Sequence, residues 1–375
     1  MVNLAIKNLL HDKLRFAITV SGVAFAVTLV FVQVGLFLGL LYNASVTIDR
    51  IPADLWVTSR NTANIDFDQT FTETALQRVR SVPGVARADN LIVWFMTMQL
   101  PTGAQEGILV YALEDFSHWN LPWRIEEGRL EDLRRGDYLF LDRSATKRFG
   151  AFGPGDYREI FSERVKIIGT TREAESFTTT PIAFVDFDVA QRLGGDQLQG
   201  STTYVLVRLA EGADVEAVRA QIQRRLPYND VLTREEWRER SRSYWVESTG
   251  LGLNMMMTVF LGCLVGVVVV AQTLYTSTLE HLREFGTVKA IGGGNRHIYS
   301  ILGQQALVAA VVGFLVGGAM AWLLRPAMAS INLRLLIAPD LVALVLVGTV
   351  LLCLGSAVIS FRKVAAIDPA LVFRT

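Results

Sequence analysis

The sequence between residues 248 and 279 reads STGLGLNMMMTVFLGCLVGVVVVAQTLYTSTL and contains no Asp, Glu, Lys or Arg. Three further stretches, 16–48, 298–324 and 341–361, also lack these residues. A helix needs about 20 predominantly apolar residues to cross a bilayer core of ~30 Å, and every stretch is long enough. The sequence therefore excludes a soluble or disordered protein. It predicts an integral membrane protein with four transmembrane helices, at 16–42, 250–277, 298–324 and 341–361.

The long segment between the first two spans, residues 43–249, is polar and holds 25 basic and 31 acidic residues. Stretches rich in β-branched and aromatic residues predict strands at 53–59, 91–100, 107–113, 137–142, 164–170, 181–187 and 202–209. Helical spacing and capping residues predict helices at 72–81 with Thr72 as N-cap, at 213–225, and at 233–247 with a capping box of Thr233 and Glu236. We expect the third helix to continue directly into the second span. The result is an α+β extracytoplasmic domain inserted between the first and second spans.

The orientation follows from the charges of the short polar pieces. Residues 1–15, 280–297 and 362–375 together hold nine basic and four acidic residues. Short flanking loops rich in Lys and Arg stay in the cytoplasm, whereas long domains cross largely regardless of charge. We therefore expect both termini in the cytoplasm of a bacterium and the large domain outside its cytoplasmic (inner) membrane. The remaining predicted parts are an interfacial helix at 1–15, a cytoplasmic loop at 278–297, a short external loop at 325–340 and a cytoplasmic tail at 362–375. The total charge is balanced, so nothing in it indicates a nucleic-acid partner.

The cytoplasmic loop follows the second span and reads TSTLEHLREFGTVKAIGGGNRHI over residues 276–298. The pattern predicts a helix over 278–291 that ends at Gly292–Gly294, because glycine readily adopts the left-handed conformation that terminates helices. Asn295 is a suitable N-cap for the third span. One side of this helix is mainly apolar and the other is charged: the first holds Leu279, Leu282, Phe285, Gly286 and Lys289, and the second holds Glu280, Arg283, Glu284, Thr287 and Ile291. It can transmit a push from a cytoplasmic partner, or it can be a connecting turn with solvated charges.

Small residues recur four positions apart within the spans, which lets helix backbones approach closely. The pairs are Gly35 and Gly39, Gly262 and Gly266, and Gly313 and Gly317. They predict helix-packing or dimer contacts, although small residues are also common in membrane helices.

No catalytic motif is present. The phosphate-binding pattern G-x-x-x-x-G-K-[ST] and the serine elbow G-x-S-x-G do not occur, and the four histidines do not pair at metal-ligand spacing. We expect no catalytic residue, no metal site and no cofactor in this chain, and the substrate-binding residues are unknown. Any ATP and Mg²⁺ would be bound by a separate ATPase.

The segment LREFGTVKAIGGGNRHI resembles the signature of the FtsX-like permeases, the MacB/FtsX superfamily of ABC-transporter membrane subunits. Within it, the chain is most similar to DevC-like permeases. That likeness rests on YVLVRLAEGADVEAVRAQIQRRLPYNDVLTREEW (204–237), YWVESTGLG (244–252), LYTSTLEHLREFGTVKAIG (274–292) and RKVAAIDPALVFR (362–374). Phe285 and the triple Gly292–Gly294 depart from the usual pattern.

The resemblance implies a permease that pairs with a second copy of itself and docks on a dimer of ABC ATPases. The ATPase-coupling residues would be Glu280, Arg283, Glu284, Phe285, Gly286, Lys289 and Gly292. Similarity to DevC implies export of a hydrophobic or amphiphilic cargo such as a glycolipid, taken from the outer leaflet or the periplasm, with membrane lipids as further partners. A periplasmic adaptor (membrane fusion protein) and an outer-membrane channel would assist. The alternatives are an FtsX-like signalling permease that activates an external cell-wall hydrolase, and an exporter of haem or toxic compounds.

Overall fold

The computed structural model describes residues 13–67, 69–178, 180–280, 295–331 and 333–365. The chain divides into two compact units, of which one comprises Met1–Gly39 and Gly252–Thr375 and the other Leu40–Leu251. We call them the membrane unit and the external unit.

The secondary-structure elements follow in chain order. They are α1 (Lys13–Arg50), β1 (Leu55–Ser59), β2 (Phe71–Thr72), α2 (Ala75–Arg80), β3 (Val85–Gln99), β4 (Gln105–Leu113), β5 (Ile125–Glu127), β6 (Tyr138–Asp142), α3 (Thr146–Phe149), β7 (Tyr157–Ile160), β8 (Glu163–Thr171), β9 (Ile182–Asp186), α4 (Phe187–Gly194), β10 (Ser201–Thr202), β11 (Tyr204–Leu209), α5 (Val215–Arg225), β12 (Asn229–Thr233), α6 (Arg234–Ser243), α7 (Leu251–Glu280), α8 (Asn295–Ala329) and α9 (Pro339–Ala365).

The helices α1, α7, α8 and α9 are each long and apolar enough to cross a membrane. Val, Leu, Ala and Gly dominate them, so packing depends on shape rather than on polar contacts. Their interior includes Val27 and Phe31 of α1, Val270 of α7 and Ala310 of α8. Hydroxyls inside these helices bond to carbonyls of their own helix, as Thr349 does to Val345 at 2.7 Å, and Thr28 of α1 also reaches the Gly317 carbonyl of α8 at 3.1 Å.

The external unit is built on a mixed sheet of ten strands, in the order β12-β1-β11-β3-β4-β9-β6-β8-β5, with β7 pairing β3 and β8. The long strand β3 joins its two halves, because its first part pairs with β11 and its second part with β4. The alternation of a pleated strand puts Leu55 and Val57 in one hydrophobic cluster and Trp56 in another. Helices α2 and α5 contribute to the first of these clusters.

The predicted fold class is confirmed: four candidate membrane helices flank an α+β domain that lies between the first and second of them. The capping box is also confirmed, because Thr233 Oγ1 accepts from Glu236 N–H and Glu236 Oε2 accepts from Thr233 N–H.

Two local predictions are wrong. Helix α2 begins at Ala75 with Thr74 as N-cap, so Thr72 instead belongs to strand β2. The helix predicted to continue into the second span is interrupted: α6 ends at Ser243, a π-helical turn follows over Tyr244–Ser248, and Gly250 has a φ of +70° before α7 begins. Only glycine adopts that backbone conformation without strain, which explains the break.

Candidate functional site

The predicted coupling segment leaves the described chain at Glu280, the last residue of α7, and the chain is described again from Asn295, the first residue of α8. Glu280 forms an ion pair with Arg15 near the start of α1. This contact joins the ends of two membrane helices at the side where the loop begins. The other predicted coupling residues, Arg283, Glu284, Phe285, Gly286, Lys289 and Gly292, lie outside the described residues.

The six glycines predicted to pack helices all lie against other segments of the same copy. A Cβ on Gly262 or Gly266 would meet Leu29 or Ala26 of α1. A Cβ on Gly313 or Gly317 would likewise meet α1, at Val23 and at the Ala24 carbonyl oxygen. Gly35 and Gly39 of α1 lie against the backbone of Leu336 and Arg334. Helix α1 is therefore the common partner in these contacts, and a dimer role for the glycines stays a prediction.

An apolar groove of about 260 Å³ lies between α1, α7 and α9 in the membrane unit. Valines of α1 and α7 form much of its wall, and Cys263 and Cys353 line it as well. The hydroxyl groups in the groove wall already donate hydrogen bonds to backbone carbonyls, Thr349 to Val345 O and Ser356 to Leu352 O. The groove thus offers an apolar surface, which fits hydrocarbon and not a polar solute.

Within the external unit, the end of α1 is tied to α6 by four residues that we call the neck: Ser45, Asp49, Arg238 and Arg242. Asp49 forms an ion pair with Arg238, and its Oδ2 lies 3.5 Å from Arg242 Nη2. Ser45 Oγ donates to Asp49 at 2.9 Å and accepts from Arg242 Nε at 3.0 Å. A carboxylate shared by two guanidinium groups holds two helices together more rigidly than a single exposed pair. The neck therefore clamps the chain entering the domain to the helix leaving it.

The π-helical turn that follows α6 is held by aromatic contacts. Trp245 stacks on Phe177 with ring centroids 3.8 Å apart, and Tyr244 meets Phe67 edge to face at 5.0 Å. Turns of this kind are rare and occur frequently at functional sites. These contacts hold the π-helical turn against loops of the external unit.

Beside these aromatic contacts lies the carboxyl group of Asp66. Burial raises the pKa of Asp66 to about 7, although a hydrogen bond from the Phe177 N–H opposes the rise. Burial, together with the nearby Asp66 charge, raises the pKa of Tyr111 well above its ordinary value, and Tyr111 also bonds to Thr47 of α1. Asp66 therefore changes charge near neutral pH, at a point where two loops, β4 and α1 meet.

Sequence reasoning missed the neck and Asp66. Asp49 lies 189 residues from Arg238, so no local spacing connects them. The one available signal is that Asp49 ends the charge-free stretch 16–48 while α6 is rich in Arg and Glu.

Comparison with known proteins matches this architecture. Residues 16–225 match the MacB-like periplasmic core domain and residues 256–369 the FtsX-like permease C-terminal domain. A protein of Mycobacterium tuberculosis named as an uncharacterized ABC transporter permease is 29% identical over 364 residues, covering 96% of this chain and 95% of that protein. One of Methanocaldococcus jannaschii with the same description is 21% identical over 339 residues, covering 84% and 82%.

Among solved structures, the periplasmic region of MacB from Actinobacillus actinomycetemcomitans is 9% identical with a TM-score of 0.39, covering 50% of this chain and 92% of that one. The extracellular domain of the transporter YknZ from Gram-positive bacteria is 18% identical with a TM-score of 0.37, covering 48% and 99%. The first family match alone spans more than half of the chain. This multi-pass membrane protein therefore belongs to the MacB/FtsX superfamily of ABC transporter permeases.

Proposed function

We propose that this chain is the permease subunit of an ATP-driven exporter that works by mechanotransmission. Membership of the family implies an ATPase partner and dimerisation. In our proposal, a dimer of ATPases binds ATP and Mg²⁺ at the cytoplasmic face and moves the segment 278–297 of each copy. That movement changes how the two external units approach each other. Both termini are cytoplasmic, and the membrane is the bacterial inner membrane.

The neck is the observation that carries this proposal. A domain that responds to helix movement needs a stiff connection at the point where the chain enters and leaves it. Here the charges of Asp49, Arg238 and Arg242 join those two points directly. The aromatic contacts of Tyr244 and Trp245 brace the same exit. A flexible linker at either point would dissipate the movement instead of passing it on.

The chain itself is non-catalytic in this proposal and holds no cofactor. Its sequence lacks the glycine-rich loop and lysine that cradle nucleotide phosphates. The relatives named above are described as permeases. The ATPase then supplies the energy by hydrolysing ATP. It contacts and moves this chain through the coupling residues Glu280, Arg283, Glu284, Phe285, Gly286, Lys289 and Gly292.

The substrate class we propose is hydrophobic or amphiphilic, such as a glycolipid, taken from the outer leaflet or the periplasm. The apolar groove between α1, α7 and α9 supports this, because its wall offers no free polar side chain to an ion or sugar. A path for polar solutes requires polar or ionisable groups facing the interior. A periplasmic adaptor and an outer-membrane channel complete the DevC-like scheme.

The first experiment tests the neck in the complex reconstituted with its ATPase. Tyr228 is 81% exposed in the external unit, so a spin label on Tyr228→Cys, with Cys263 and Cys353 replaced by Ala, reports the distance between two copies. We expect that distance to change on adding a non-hydrolysable ATP analogue. The double variant Arg238→Ala/Arg242→Ala should lose the change while ATP hydrolysis continues.

Arg240→Ala is the matched control, because Arg240 lies on the same helix but pairs with Asp230 of β12 at 2.7 Å. It should keep the nucleotide-dependent change. If the distance between the spin labels did not change with nucleotide in the protein with an intact neck, mechanotransmission would be contradicted. An undiminished change in the double variant would leave mechanotransmission intact and remove the neck from it.

A second experiment tests the coupling segment. Phe285→Asp puts a charge on its predicted apolar side, and we expect ATP hydrolysis without movement of the spin labels. Thr287→Asp, on the opposite predicted side, is the control. Normal movement in the Phe285 variant, with normal expression, would count against a coupling role for this helix.

A further inference from the structure

Strand β7 contains an arginine that points into the domain. Tyr157 and Glu159 of this strand are exposed, whereas Arg158 and Ile160 are buried, as expected for alternate residues of a pleated strand. Arg158 is only 7% exposed. Its register partner on β8 is Val165, a member of the same buried hydrophobic cluster as Ile160. A guanidinium group thus lies at the margin of an apolar core.

The hydrogen bonds of Arg158 are incomplete. Nη1 donates to the carbonyl oxygen of Tyr157 at 2.8 Å, a neutral acceptor. Nε is enclosed and has no hydrogen-bond acceptor among the described residues. Burying a charge is unfavourable unless it is paired and hydrogen-bonded. Among the described residues, nothing completes the hydrogen bonds of this guanidinium group, and an acceptor supplied by a ligand would do so.

A recess of about 320 Å³ opens beside Arg158, between the end of β3 and the β7–β8 hairpin. Arg158, Arg164, Glu159 and the amide of Gln99 line it. The guanidinium of Arg164 lies 4.2 Å from the centre of the Tyr157 ring, which holds that cation at the rim without neutralising it. The recess is large enough for a small organic group and supplies several N–H donors.

The charge of the recess indicates which anion fits. Arg158, Arg164 and Glu159 are all among the lining residues, so the recess carries one net positive charge. A singly charged anion balances it, whereas a phosphate dianion would also be repelled by Glu159. A planar carboxylate additionally matches the fork of a guanidinium group and can accept two parallel hydrogen bonds from it.

We propose that this recess is a binding site for the carboxylate group of a ligand, with Arg158 as the buried anchor and Arg164 and Gln99 at the rim. The site lies wholly within the external unit and does not depend on coupling to an ATPase. An acidic side chain of a partner protein and an acidic substrate would present the same chemistry.

The test uses the full chain in uncharged detergent and follows thermal unfolding by tryptophan fluorescence. Trp56, Trp94, Trp119, Trp123, Trp237 and Trp245, of the chain's 7 tryptophans, lie in the external unit, so the signal reports mainly on it. At constant ionic strength, replacing chloride by acetate should raise the unfolding midpoint by about 3 °C once acetate exceeds its Kd roughly tenfold. N-acetylglutamate should act likewise, and phosphate should act more weakly because of Glu159.

Arg158→Met should abolish the carboxylate response and raise the midpoint in chloride, because it replaces an unpaired buried charge by an apolar chain of similar length. Arg164→Gln, at the exposed rim, should leave folding intact and weaken carboxylate binding about tenfold, the loss of one charge-assisted hydrogen bond. Arg192→Gln, at an exposed pair with Asp137, is the control and should respond as the unmodified chain does.

Equal acetate responses in the unmodified chain, Arg158→Met and Arg164→Gln would overturn the proposal, because they would show a general salt effect. A phosphate response larger than the carboxylate response would overturn the assigned ligand class. Absence of any response in the unmodified chain would mean that water completes the hydrogen bonds of Arg158.

Discussion

The external and membrane units of this permease satisfy their polar groups in opposite ways. In the external unit, Asp49 pairs with Arg238, 189 residues along the chain. The buried Asp89 accepts a hydrogen bond from Trp119, 30 residues away, and pairs with the nearer Arg80 and Arg87. In the membrane unit, hydroxyls such as those of Thr349 and Ser356 bond to the carbonyl four residues earlier. Within a bilayer no water can replace a lost partner, so local satisfaction is the safe arrangement.

The comparison indicates what specifies each unit. Long-range charge and hydrogen-bond networks hold the external unit in one arrangement, whereas the fit of glycines against neighbouring backbone holds the membrane helices. Removing a charge should therefore damage the first unit most, and adding volume should damage the second.

The largest effect is expected at Asp89. Asp89→Ala leaves two guanidinium groups and the buried Trp119 Nε1 without their shared acceptor. Asp89 is buried while both arginine side chains are partly exposed, so we expect a loss of about 3–4 kcal/mol of unfolding free energy, mainly from the buried groups left unpaired. Urea unfolding of the external unit, followed by tryptophan fluorescence, measures the loss.

The matched control is Asp137→Ala, which removes an exposed pair with Arg192. Asp137→Ala should lower the unfolding free energy by less than about 1 kcal/mol. Equal losses at the two positions would contradict the view that the Asp89 network specifies the fold.

In the membrane unit the largest effect is expected from added volume at Gly39. A Cβ there would lie 1.8 Å from the carbonyl oxygen of Arg334, which is backbone and cannot rotate away. Gly39→Ala should destabilise the helix packing by about 3 kcal/mol, the upper end for overpacking. Unfolding in mixed detergent micelles provides the measurement.

Gly303→Ala in α8 is the control, because a Cβ at Gly303 meets nothing within 4 Å. It should be neutral or slightly stabilising, since alanine favours helix over glycine. If Gly39→Ala were tolerated as well as Gly303→Ala, close backbone approach would not be what orders the α1 contacts.

A change of pH should alter the unfolding free energy of the external unit by an intermediate amount. The pKa of Asp66 is about 7 in the folded chain against 3.8 as its ordinary value, so folding favours the protonated form. Its contribution to stability is therefore full below about pH 4 and is lost as pH rises through 7. Because Asp66 as a whole residue is only half-buried, we expect a loss of unfolding free energy on the order of 2 kcal/mol between pH 4 and 8. Asp66→Asn should flatten this part of the pH profile.

Asp115→Asn serves as the control, because folding shifts the pKa of Asp115 in the opposite direction from that of Asp66. A hydrogen bond from Ser117 and the charge of Arg87 hold the pKa of Asp115 below its ordinary value. Its contribution is present above the ordinary pKa and is lost as the solution becomes more acidic. A profile unchanged between pH 4 and 8 in Asp66→Asn would show that Asp66 does not titrate in that window.

The same contrast between local and long-range contacts decides which features of each unit the sequence predicts. The spans were predictable because charge-free stretches such as 248–279 encode membrane helices directly. The capping box of Thr233 and Glu236 was predictable because its partners are three residues apart. Strand β7, with the sequence YREI, was not predicted, because a charged Arg158 at an inward position contradicts the usual alternation of apolar and polar residues.

The candidate site was less predictable than the fold. The neck pairs residues 189 apart, and a single sequence contains no information on such pairing. Asp66 lies in a loop, and its raised pKa arises from burial that only the folded chain creates. The coupling residues, by contrast, came from a local motif, and their role stays a prediction because most of them lie outside the described part of the chain.

The smallest expected effect comes from one substitution made in both units, threonine to valine. Thr171 Oγ1 donates to Asp142 at 2.8 Å between buried groups from different strands, so Thr171→Val leaves that carboxyl one donor short and should cost about 1.5 kcal/mol. Thr349 Oγ1 bonds only to Val345 O, which also belongs to the helical backbone ladder, so Thr349→Val should change stability by less than about 0.5 kcal/mol. The two variants remove the same atom at buried sites, and unfolding of each unit measures the difference. A loss at Thr349 equal to that at Thr171 would show that hydroxyls in the membrane helices contribute more than local satisfaction, and would remove the contrast between the two units.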